Sequence, residues 1–118
     1  MPRRKSITIA DVRRLALALP EATEGRHLDI HDFRVRNKIF AALPKGDETV
    51  ALKSTPANVD ALVSSDAVTF ANLWHGRWVG VRLDRVTIAL LEDLLDDAWR
   101  LAAPKSLSAT YRLFRRVT

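Results

Sequence analysis

Residues 74–83 constrain the fold most. Trp74, Gly76, Trp78 and Gly80 bring two of the chain's three tryptophans and two of its four glycines into one short stretch. Gly76-Arg77 reads as a tight turn between the end of one strand and the start of another. In the second strand, Val79, Val81 and Leu83 alternate with Trp78, Gly80 and Arg82. Strand side chains alternate between faces, so this segment demands a sheet with one apolar, covered face and one open face.

The remaining segments supply that sheet and its cover. Thr8 opens a helix, and Asp11 three residues on completes a capping box. Val12, Leu15, Ala16 and Leu19 form its apolar stripe, and Pro20 stops it. Glu21 to Arg26 reads as a polar connection. His27 to His31 alternates and is the candidate first strand, with Leu28 and Ile30 on its apolar side. Phe33–Val35 and Ile39–Leu43 read as a hairpin around Arg36-Asn37-Lys38, since Asn37 tolerates positive φ. Phe33, Val35, Ile39, Ala41 and Leu43 then share the covered face. Pro44 to Asp47 turns the chain into a strand over Glu48–Lys53. Thr55-Pro56 starts a short helix, and Ala67–Trp74 is a further strand. Thr87 caps a long helix whose apolar face is Leu91, Leu94, Leu95, Ala98, Leu101 and Ala102. Its outer face is Glu92, Asp93, Asp96 and Asp97, and Pro104 ends it. The expected fold is α+β: a mostly antiparallel five-stranded sheet with helices on one face, in the order α-βββ-α-ββ-α. Residues 8–104 form a single domain, 1–7 a basic N-terminal arm, and 105–118 a basic C-terminal extension with helical spacing of Leu107, Tyr111 and Phe114.

Composition narrows the function. At 118 residues the chain is long enough to bury one core. It has no cysteine, which excludes disulfides and thiolate metal sites and fits a reducing compartment. No apolar run approaches the ~18 residues of a membrane span, and none follows the basic start as a signal peptide requires. A cytoplasmic protein without a membrane partner is expected. The net charge of +5 sits at the ends: Arg3, Arg4, Lys5, Arg13 and Arg14 on one side, and Lys105, Arg112, Arg115 and Arg116 on the other.

Catalytic and metal signatures are missing. His27, Asp29 and His31 share a strand face next to Asp32, but no metal-ligand spacing is matched. His75 has no serine or cysteine nucleophile at motif spacing. There is no glycine-rich phosphate loop. No enzyme activity, cofactor or metal is expected. One constellation carries binding chemistry. The open sheet face collects Arg34, Arg36, Lys38, Lys53 and Arg82 around Trp78, with Arg77 and Phe40 nearby. Cations beside an aromatic ring suit phosphate contact plus base stacking.

Several motifs in order resemble the MmcQ/YjbR family over about residues 9–105. They are Leu19-Pro20-Glu21-Ala22-Thr23-Glu24, Phe33 to Ala41, Leu52-Lys53, Trp78 to Leu83 and Asp97 to Lys105. The resemblance implies a "double wing" fold akin to the frataxin/CyaY shape, and the label "DNA-binding protein". The family pattern maps onto Lys38, Lys53, Trp78, Gly80 and Arg82. The chain departs from many relatives at Ala71-Asn72-Leu73-Trp74-His75. The frataxin likeness suggests iron, but Thr8–Leu19 holds only Asp11 as a hard-cation ligand. The expected function is therefore a DNA-binding domain using Arg34, Arg36, Lys38, Lys53, Arg77, Trp78 and Arg82. The alternative is a protein-interaction or regulatory module on the same face, with the chain a monomer or weak dimer in either case.

Overall fold

A computed structural model describes residues 6–46 and 48–117, with side chains as far as 111; most of the basic N-terminal arm lies outside the described residues. The order is α1 (Ile9–Leu17), β1 (Ala22–His27), β2 (Ile30–Val35), β3 (Lys38–Leu43), β4 (Thr49–Lys53), α2 (Pro56–Ser65), β5 (Phe70–Leu73), β6 (Trp78–Arg82), α3 (Ile88–Ala102) and α4 (Lys105–Val117). One sheet of six strands runs β1-β2-β3-β4-β6-β5, and every neighbouring pair is antiparallel. The α+β architecture is as expected, with one strand more.

The helix ends follow the capping chemistry. The Thr8 hydroxyl accepts from the Asp11 amide while Asp11 accepts from the Thr8 amide at 2.9 Å, which satisfies two donors that the first turn leaves unpaired. Thr55 and Thr87 cap α2 and α3 in the same way, each accepting from the amide three residues on. Val12 and Ala16 of α1 are buried, as are Leu91, Leu95, Ala98, Trp99 and Ala102 of α3. They meet Phe33, Val35, Phe40, Leu52, Val79 and Val81 from the sheet. Leu107 and Tyr111 of α4 pack against the same core.

Three local expectations need correcting. The first strand is β1, in the segment read as a connection; it escapes the sequence pattern because it is an edge strand held by its backbone pairing to β2 and buries little. The turn between them falls at Leu28-Asp29, inside the expected first strand. His27 pairs with Ile30 across that turn, so His27 and His31 lie on opposite faces. Leu28 is thereby 81% exposed and held at φ 56°, not directed to the core.

The third correction is a bulge. Phe33 pairs with Ala41, but Arg34 pairs with Ile39, so β3 carries one extra residue, Phe40. A bulge shifts the facing of everything beyond it. Phe40 is wholly buried in the core, not near the open face. Ile39 joins Arg34 on the open face, and Lys38 pairs with the buried Val35 on the helix-covered side. The turn itself is as read: Arg36 and Asn37 both take positive φ, 49° and 66°, the conformation a two-residue hairpin prefers.

The open face is crossed by a row of small residues. Gly25, Asp32, Ala42, Ala51, Gly80 and Ala71 are successive cross-strand partners through all six strands. Longer neighbours fold over this row. A Cβ on Gly25 would lie 2.7 Å from Asp32 Oδ1 and 2.8 Å from Arg34 Nε. Glycine is therefore what lets the Asp32–Arg34 pair lie flat on the sheet.

Candidate binding surface at one end of the sheet

The candidate residues divide into two groups. Lys53 of β4 is the cross-strand partner of Trp78 of β6, which pairs on its other side with Leu73 of β5. Arg77 precedes Trp78, and its carbonyl accepts from the Ser54 amide at 2.9 Å, which ties the hairpin to the start of α2. Lys53, Arg77 and Trp78 line a shallow depression of about 310 Å³ with Ser54, Thr55 and Pro56. Arg36 and Lys38 belong to the same end of the sheet. Arg82 pairs with Thr49 at the opposite end and is separated from the cluster.

The hairpin turn is strained. Trp74, His75 and Gly76 take φ values of 47°, 62° and 76° in succession. Left-handed backbone is costly for a bulky residue, about 1–3 kcal/mol. It leaves Trp74 55% exposed and sets its ring edge-on to Trp78, with centroids 5.4 Å apart.

Electrostatics separates the arginines from the rest. Arg34 donates two hydrogen bonds to Asp32, at 2.7 and 3.0 Å. Arg36 grips Glu21 in the same bidentate manner, and Arg82 grips Asp84 at 3.1 and 2.9 Å. The guanidinium hydrogen bonds hold the Glu21 and Asp84 carboxyls below their ordinary values. Each of these arginines is thus locally neutralised. Lys53, Arg77 and Lys38 make no ion pair with any described residue. The pairing at 32/34 was readable in principle, since two positions apart in a strand places both side chains on one face, whereas Arg82 ends β6 and reaches Asp84 in the turn that follows. The Arg36–Glu21 pair joins residues outside the strands and has no such signal.

Among the described residues no group of three or more His, Asp or Glu could hold a metal ion. His75 sits exposed in the turn. His31 faces Glu24 at 3.0 Å, and Glu24 also takes two bonds from Arg13.

A family model, YjbR, matches residues 17–101. The chain belongs to the YjbR family. Every candidate residue lies inside the matched span. The crystal structure of Deinococcus radiodurans protein DR2400, with the family-model domain DUF419, superposes with a TM-score of 0.73 at 25% identity, over 84% of this chain and 80% of that one. A crystal structure of a Pseudomonas syringae protein gives a TM-score of 0.67 at 15% identity, over 82% of this chain and 100% of that one. No curated protein matches. The fold of this YjbR chain is thus shared with solved relatives, and no helix among its described residues is long and apolar enough to cross a membrane.

One carboxylate of α3, Asp97, is exposed as its place on the outer face predicts, and it also borders an apolar cavity. It lies three residues after Leu94 and four before Leu101, beside both on the helix. Burial, then the neighbouring Asp96 charge, pushes its carboxyl above the ordinary value. The sign follows from linkage: a raised folded value means the ionised form costs stability once pH exceeds the unfolded value, and nothing below it. Asp97→Asn should therefore be more stable than the parent at pH 7, by up to about 0.5 kcal/mol for so exposed a site. Urea midpoints of the two proteins should converge as pH falls toward 4. A constant gap across that range would exclude this cause.

Proposed function

We propose that the chain is a non-enzymatic, cytoplasmic nucleic-acid-binding domain whose contact is confined to the Lys53–Arg77–Trp74–Trp78 end of the sheet. The observation that carries this is the charge sorting. Arg34, Arg36 and Arg82 are already bonded to carboxylates, whereas Lys53 and Arg77 have no acidic partner among the described residues and stand at the end of the sheet that carries the exposed Trp74 and the half-buried Trp78. Two free cations can take two phosphates, and the indole faces can take unstacked bases. That pairing suits a single strand better than a duplex.

The test is a fluorescence-anisotropy titration of labelled oligothymidine and of a duplex with the full chain, at several salt concentrations. Each phosphate contact to a single strand contributes about −0.7 to the log–log salt slope. Lys53→Ala/Arg77→Ala should therefore flatten the slope by about 1.4, two contacts' worth. Trp74→Ala should weaken binding by about 1–3 kcal/mol. No binding of either probe at low salt, or an unchanged slope in the double variant, overturns the proposal.

One observation favours a second reading, a protein-interaction module. The bidentate pairs leave the open face short of free positive charge, so little of it attracts a polyanion. A protein partner retained stoichiometrically after nuclease treatment, and lost on Trp74→Ala, would support that reading.

A further inference from the structure

The two helices α2 and α3 cover different strands. α2 packs chiefly on β5 and α3 on β3 and β4, while β6 runs between β4 and β5. A groove is left over β6, and a cavity of about 220 Å³ opens in it. Ala61 and Leu62 of α2 form one wall and Leu94 and Leu101 of α3 the other, above Leu52 and Val79. Leu62 and Leu94 are half-buried, and Leu101 is exposed. The exposed Leu90 extends this apolar stripe of α3 by one turn. The charge on the flanking helices is of one sign. In a chain of net charge +5, α2 and α3 together carry Asp60, Glu92, Asp93, Asp96 and Asp97 against Arg100 alone. Arg100 bonds Asp96 at 3.2 Å. Asp60, Glu92, Asp93 and Asp97 make no ion pair with any described residue. Burial and the charges of Asp96 and Asp93 raise the Asp97 carboxyl, and Arg100 offsets only part of that. Lys53 reaches the groove only where β4 ends, and as the partner of Trp78 it belongs to the open face.

We propose that this groove docks a basic amphipathic α-helix of a partner protein, with its apolar side chains in the cavity and its lysines or arginines beside Asp93 and Asp97. The charge complementarity selects this occupant. A polyanion would be repelled by the acidic helices. A polyamine would meet the carboxylates and leave the leucines wet. An uncharged apolar ligand would cover the leucines and bring the carboxylates no counter-charge. A helix with apolar residues at every third or fourth position and cations beside them answers both. Size agrees: the cavity falls below the roughly 300–1,000 Å³ of sites that enclose a whole ligand. It suits anchor side chains inserted from a helix that rests on Leu62, Leu94 and Leu101. The inference does not rest on the nucleic-acid reading, which uses the other face of the sheet. It also differs from the interaction module centred on Trp74, since Trp74 takes no part in the groove.

The experiment titrates an alanine-based helical peptide, with leucine at every third or fourth position and lysines flanking that stripe, into the ¹⁵N-labelled full chain and follows amide shifts. Saturable shifts are expected at Asn58, Ala61 and Leu62 and along Leu94 to Leu101, and none along β1 and β2. The same peptide with glutamate in place of lysine should bind at least about tenfold more weakly. Spermidine, which matches the charge alone, should give no saturable shifts. Ala61→Lys places a cation in the groove wall at an exposed position. This variant and Asp93→Asn/Asp97→Asn should each weaken binding of the lysine peptide about tenfold, with dispersed spectra showing that the fold persists. The proposal is overturned by the absence of saturable shifts at about 1 mM peptide, by the same shifts from spermidine, by equal binding of the glutamate peptide, or by either variant binding like the parent. Failure of the DNA titration leaves these outcomes unchanged, and Trp74→Ala should bind the lysine peptide like the parent.

Discussion

Trp99→Ala should cost more stability than any other single truncation of a side chain in this chain, about 4–5 kcal/mol. Trp99 is wholly buried and is the largest side chain in that state. Its indole N–H donates to the Pro20 carbonyl at 2.9 Å, which joins α3 to the segment that closes α1. Its ring meets Tyr111 of α4 edge-on at 5.0 Å, and Arg100 stands 5.8 Å over that same Tyr111 ring. Truncation to alanine removes the ring contacts and leaves a cavity, worth about 3–5 kcal/mol for a buried tryptophan. It also removes the donor to Pro20, worth about 1 kcal/mol. Domains of this size are stable by only about 5–15 kcal/mol, so the variant sits close to unfolding. Trp99→Phe keeps an aromatic body and should fold, at a cost of about 1–2 kcal/mol. Urea unfolding of both variants checks the order. Amide exchange should show α4 opening first, since Tyr111 loses its ring partner. A cost under about 1 kcal/mol for the alanine variant would mean that Trp99 is not the joint the geometry makes it.

Trp99 also shows where sequence reasoning reached and where it stopped. The α3 cap, its length and its amphipathic character were all readable from Thr87 and the apolar spacing. The orientation was not. Leu94 and Leu101 are as apolar as Leu91 and Leu95, so a single stripe could be drawn through either set. Only the packed structure shows that Leu91, Leu95, Ala98 and Trp99 face the sheet. Leu101 is 43% exposed, and Leu94 and Leu101 border the cavity instead. The same rotation moves Asp96 from the solvent face into a buried position, where Arg100 meets it at 3.2 Å.

The sheet tells a similar story. Strands with a covered face, such as β4 and β6, are written in their alternation. β1 is written nowhere, because Ala-Thr-Glu-Gly-Arg-His buries no large side chain and owes its form to pairing with β2. The Phe40 bulge is equally silent in composition: Ile39 and Phe40 are both apolar, and either could face the core. That one residue decides whether Lys38 belongs to the open face or to the helix side. Family resemblance was more robust than face assignment, since it depends on the order of motifs and not on where each side chain points.

Arg34→Met should be the second costly change, at about 3 kcal/mol, although Arg34 looks like a ligand contact in the sequence. The cause is the asymmetry of its pair with Asp32. The Asp32 side chain is 3% exposed and the Arg34 side chain 30%. Removing the arginine strands a carboxylate that water cannot reach, and breaking such pairs costs about 3–5 kcal/mol when both members are buried. The lower end applies because Arg34 is partly solvated. Asp32→Ala instead leaves a guanidinium that can turn to water, so its cost should be smaller, about 1–2 kcal/mol. The double variant Asp32→Ala/Arg34→Met should cost less than the sum of the two single changes. That double-mutant cycle isolates the coupling, and additive single costs would show that the pair contributes nothing as a pair. Nucleic-acid binding per folded molecule should be unaffected by Arg34→Met, because its charge is already spent on Asp32. A stability loss with intact affinity would place Arg34 in the scaffold and leave Lys53 and Arg77 as the contact cations. An affinity loss without a stability loss would return Arg34 to the binding face.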